Sequence, residues 1–171
     1  MAAPPLFLAI VYWLHMLATV LWIGGLAAVS FLVLPAARKV LDPPLFAALL
    51  AQLQARLQQV GWFSLAVLVV TGLFQMSASP FYKGFLAINN AWSTAILVKH
   101  LVVGGMILVG AYATWGLLPA LQRTVLLRAA GRPVDEAKIA ALHSRETWLL
   151  RLNLGLSVIV LLLTALARTA K

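Results

Sequence analysis

Four long apolar runs leave few folds open to this chain. The first extends from about Leu6 to Leu34 without a charged residue. A helix needs only about 20 apolar residues to cross the ~30 Å hydrocarbon core of a bilayer. Further runs occupy about 60–79, 92–118 and 148–167, with Lys99 and Arg151 as their only charged residues. Inside a bilayer, backbone N–H and C=O groups find no water, so each run must satisfy them internally, as a helix does. The predicted fold is all-α: an integral membrane four-helix bundle, one transmembrane domain over residues 1–171. Of the 171 residues, 63% are hydrophobic and 10% charged, a balance outside the range of ordinary soluble domains.

Charge placement gives the topology. Arg38, Lys39 and Arg56 fall in segment 35–59, and Arg123, Arg128, Arg132, Lys138 and Arg145 in segment 119–147. The opposite side holds Lys83, Arg168 and Lys171. Lys/Arg-rich loops stay in the cytoplasm, which predicts an N-out/C-out bundle. The net charge of +9 is therefore a topology signal, and no nucleic-acid partner is expected. The N-terminal run lacks a basic lead and far exceeds a signal-peptide core, so it is expected to be a retained helix.

Helices two and four are expected to extend into the cytoplasm. Asp42-Pro43-Pro44 offers an N-cap and first-turn prolines, and Asp135-Glu136 suits a helix start. Ser79-Pro80-Phe81-Tyr82-Lys83-Gly84 is expected to be a turn. Phe85–Ala91 is expected to lie in the interface, with Tyr82 and Trp92 at headgroup level. Trp62, Trp115 and Trp148 are expected to be anchors at the opposite interface. A weak internal repeat relates His15…Leu34-Pro35-Ala36…Arg38 to His100…Leu118-Pro119-Ala120…Arg123. Helices one and three run the same way, so the repeat would be a parallel one.

The two histidines in this repeat are the leading site candidates. An ionisable side chain within a membrane span is costly and marks function by default. His15 lies about nine residues in from Leu6 and His100 about eight in from Trp92, roughly 13 and 12 Å at ~1.5 Å per residue. The expectation is two imidazoles at one level, on helices one and three, ligating haem b from its two faces. Gly104 would leave room for the ring, Thr19 would orient the His15 imidazole, and Trp22 shares the face of His15. Lys99 would meet a haem propionate or carry a proton, or else snorkel to the headgroups. Such a protein would transfer electrons or serve as a small redox-complex subunit. If it is an enzyme, it is a membrane oxidoreductase working through its cofactor.

Two other functions compete. Copper(I) accepts imidazole and thioether ligands, which His15, Met16, His100, Met106 and Met76 could supply. A structural bundle without cofactor would use its histidines only for interhelical hydrogen bonds. The bilayer is the one certain partner. A redox partner, a larger membrane complex and a second copy of the chain stay open.

Several classes are excluded. The chain has no cysteine, so disulfides, thiolate metal sites and iron–sulfur clusters are out. No hydrolase motif is present, and the glycine pairs lack phosphate-loop context. All four acidic residues are placed outside the spans, which excludes a carboxylate proton relay, and His143 is expected to be solvated.

The motifs resemble those of two families. His15-x6-Trp22-x-Gly24-Gly25, Arg56…Trp62…Thr71-Gly72-Leu73, Trp92…Lys99 and the Leu-rich helix ending at Thr164 are similar to copper-resistance D-type (CopD) membrane proteins. That resemblance implies copper handling across a bacterial inner (cytoplasmic) membrane. His15, Trp22 and Lys99 also resemble positions in HemJ-type protoporphyrinogen oxidases, four-helix haem proteins. The Arg…Asn-Glu-x-Pro ending of that family is missing.

Overall fold

The expected helices are all present in the computed structural model, which describes residues 4–84, 88 and 90–170. Among the described residues there are four helices long and apolar enough to cross a membrane. Helix α1 is Pro5–Val40, α2 is Pro43–Ser77, α3 is Ala91–Arg128 and α4 is Glu136–Thr169. The starts of α1 and α3 and the ends of α2 and α4 lie at one end, called here the terminal end. The short links 41–42 and 129–135 lie at the other, basic end. Most of the Phe85–Ala91 stretch falls outside the described residues.

The helix starts follow their local chemistry. The Asp135 carboxylate accepts from the backbone N–H groups of Ala137 and Lys138 and caps α4. Asp42 holds extended backbone before the Pro43-Pro44 pair that opens α2, and its side chain makes no capping bond. At α3, Asn90 Oδ1 accepts from Ser93 N–H (2.7 Å) and Ser93 Oγ accepts from Asn90 N–H (3.2 Å). This reciprocal box satisfies two backbone donors.

Helices α1 and α3 overrun their expected ends at Leu34 and Leu118. Each passes through a proline and continues for another turn or more. Proline has no N–H, and its ring collides with the carbonyl four residues back. The chain absorbs both problems with a wide turn just before each proline. Residues Val29–Val33 and Ala113–Leu117 form π-helical turns, and Leu34 and Leu118 bond back to Val29 and Ala113. Single π turns of this kind relieve a helix ladder locally. The two halves thus share a π turn before a proline as well as a sequence pattern. A third π turn spans Val20–Gly24 in α1 alone.

The helices pack as two antiparallel pairs. α1 lies along α2, and α3 lies along α4 over the longest interface. Leu26, Val29 and Leu34 of α1 meet Leu50 of α2 and Leu150 of α4 in one apolar cluster. Ala113, Leu117 and Leu121 of α3 meet Leu149 of α4 in another. α2 and α3 are bridged by Trp62, whose Nε1 donates to Thr114 Oγ1 at 3.2 Å and whose ring lies 5.4 Å from that of Trp115. Trp62 is therefore an interhelical strut, while Trp115 and Trp148 stay exposed on the lipid-facing surface. Ser64 and Ser157 are fully buried, where small side chains let helices close up.

The overrun of α1 and α3 also encloses the basic end. Arg38 of α1 donates to Thr147 of α4. Glu146, beside it, is only 1% exposed, and its Oε2 lies 3.2 Å from Nδ1 of His143. His143 is thus half-buried and paired instead of solvated, and one of the four carboxylates lies inside the bundle. Sequence periodicity alone assigned this stretch of α4 to solvent, because it placed no helix beside it.

Core and lipid-facing leucines should separate cleanly on substitution. Leu50→Ala removes a side chain that is 2% exposed and should cost about 2–5 kcal/mol. Leu32→Ala, on the lipid side, should cost well under 1 kcal/mol. Unfolding of the two variants in mixed micelles measures the difference.

Candidate functional site in the terminal half

His15 is held by α2. Its Nδ1 lies 2.8 Å from Thr71 Oγ1, and that hydroxyl lies 2.6 Å from the Val67 carbonyl. The hydroxyl has one proton, which goes to the carbonyl, so it accepts from Nδ1–H of His15. The remaining basic nitrogen of the ring is Nε2. Gly72 lies against the same ring, and a Cβ there would stand in ordinary contact, 3.5 Å from His15 Cε1. Seven residues on, Trp22 lies against Gly61, with its Nε1 3.6 Å from where a Cβ would be. Gln75 of α2 reaches the Val11 carbonyl of α1 at 3.5 Å.

Thr19 does not orient the imidazole. Its hydroxyl donates to the His15 carbonyl at 2.8 Å, a bond within α1. Thr71 has that role instead. The sequence carried a signal for it, since Thr71 places a hydroxyl inside an apolar run.

His100 sits in a different pocket. It is exposed on α3, and its Nδ1 donates to the Ile96 carbonyl at 2.7 Å, which makes Nε2 the basic nitrogen. Met76, Tyr82, Trp92 and His100 line one small pocket at the terminal end. His15 is not part of its wall. The two imidazoles also differ in depth. The Trp62–Thr114 bond sets a common level for α2 and α3. Thr71 lies about nine residues from it along α2 and His100 about fourteen along α3, roughly 13 and 21 Å at ~1.5 Å per residue. The expected shared level is therefore replaced by an axial offset of roughly 7–8 Å. The sequence estimate counted from the starts of the apolar runs, and α1 and α3 do not start at the same height.

Cations gather near His15. Lys99 is half-buried and within electrostatic range of both His15 and Arg168. The Arg168 guanidinium stacks 5.3 Å from the centre of the Tyr12 ring, an attractive cation–π geometry. The chain has only four acids, and all of them belong to the basic end.

The remaining candidates are scattered. Met16 is 59% exposed to the lipid side. Met106 is buried at the centre of the bundle. A Cβ on Gly104, a half-exposed residue of α3, would meet no other side chain within 4 Å. Among the described residues, no three His, Cys, Asp or Glu side chains cluster as a metal site. Of these candidates, His100 and Met76 line the same pocket.

Thr71→Val should free the His15 ring, moving its Nδ1 resonance and costing about 1–3 kcal/mol. Thr19→Val should leave that resonance in place. Nitrogen NMR of histidine-labelled protein distinguishes the two.

The family model for copper resistance protein D (CopD) matches residues 51–167. No curated protein and no solved structure matches the chain. The match covers most of α2, all of α3 and nearly all of α4, including Met76, Lys99 and His100, and it leaves out His15. The chain belongs to the copper resistance protein D family, a membrane family linked by its name to copper resistance.

Proposed function

We propose that this protein handles copper(I) as cargo at the outer face of a bacterial inner membrane, with His100 and Met76 as ligands. The observation that carries this is the shared pocket of an imidazole and a thioether at the terminal end. Both donors suit copper(I), and the Trp92 ring in the same wall adds a face that attracts cations. Both residues fall within the stretch matched by the family model. The basic end faces the cytoplasm in this account, so the pocket opens outward.

His15 suits a copper ion less well. It lies outside the pocket wall that holds Met76 and His100, and copper(I) favours a thioether beside an imidazole. Haem b between His15 and His100, in an electron-transfer protein or redox subunit, is the other reading. The axial offset counts against it, because both imidazoles must reach one iron.

Copper(I) titration of the detergent-solubilised chain against a chromophoric chelator tests the proposal. His100→Ala and Met76→Leu should each weaken binding at least tenfold, while His15→Ala changes it less than threefold. Stoichiometric copper unaffected by either substitution would contradict the site. A sharp reduced b-haem absorption band, lost in both His15→Ala and His100→Ala, would put the haem reading in its place.

A further inference from the structure

All four helices contribute to a second, larger cavity in the middle of the bundle, separate from the terminal pocket. It is open to the centres of water-sized molecules over about 80 Å³, room for several waters or one small ring. Its wall includes Trp22, Gln58, Trp62, Met106, Thr114 and Asn153. Leu21 and Val60, both more than two-fifths exposed, stand on its rim, so the cavity communicates with the lipid.

Two features define an occupant. No charged side chain lines the cavity, so nothing there neutralises an ion, and burying one would be expensive. Yet the wall holds hydrogen-bonding groups with nothing to bond. Asn153 is 8% exposed, its Oδ1 is buried, and no group among the described residues bonds it. Gln58 Nε2 is buried and equally unpartnered. Leaving such atoms unmet costs free energy that an apolar side chain would avoid. Around them stand two indoles and a thioether, surfaces suited to a flat ring. The Trp62 indole is fixed by its bond to Thr114, so this surface is preformed.

We propose that the cavity binds a neutral, lipid-soluble ring compound that bears both an acceptor and a donor, of the quinone and quinol class. A ring oxygen accepts from Gln58 Nε2, and a ring hydroxyl donates to Asn153 Oδ1. The ring lies among Trp22, Trp62 and Met106, and an apolar tail leaves past Leu21 and Val60 into the bilayer. This site is independent of the copper proposal and stands on different residues.

The test uses the full chain in lipid nanodiscs and decylubiquinol as probe, read by quenching of tryptophan fluorescence. Wild type should show saturable quenching. Asn153→Leu and Gln58→Leu should each weaken it at least tenfold. Asn153→Leu should also keep or raise the melting temperature, because it removes a polar atom that the fold leaves unmet. Quenching that never saturates, or that is the same in both variants as in wild type, overturns the proposal. A fall in the melting temperature of Asn153→Leu assigns the carboxamide to the fold and overturns it as well.

Discussion

In a bilayer, no backbone group can turn to water, and this constraint shapes the whole bundle. It explains why α1 and α3 do not break at Pro35 and Pro119. Ending a helix there would leave carbonyls stranded near the hydrocarbon edge, whereas a π turn relocates one bond and lets the helix continue. The continued helices then flank the start of α4. That enclosure buries Glu146 and pairs it with His143. Two prolines thereby decide where the interior ends.

The four spans, their order and the beginnings of α2 and α4 were legible in the sequence. Apolar length and the pairs Asp42-Pro43 and Asp135-Glu136 carry that information locally. The site was legible only in part. His15, His100 and Met76 stand out as polarisable groups in apolar runs, but their partners depend on how helices slide past one another. Nothing local to His15 names Thr71, and nothing near His100 names Met76. Depth counted along single helices failed for the same reason, since relative height is a property of packing. The polar residues inside the central cavity were also hidden. Gln58 sits in an amphipathic stretch and Asn153 in an apolar run, and which side of either helix faces inward is set only when the bundle is assembled.

The polar groups sort themselves along the membrane normal. The basic end combines arginines with all the carboxylates, so charges there find partners such as Arg128 with Glu136. The terminal half has cations and imidazoles alone. The copper(I) proposal therefore rests on ligand chemistry, an imidazole and a thioether in one pocket wall, and not on the charge around it.

Copper K-edge X-ray absorption of the copper(I)-loaded chain in lipid is the most direct measurement of that claim. The account predicts a mixed first shell, with a nitrogen scatterer from imidazole and a sulfur scatterer that disappears in Met76→Leu. A shell of nitrogen and oxygen alone, or a sulfur shell that survives Met76→Leu, would contradict it.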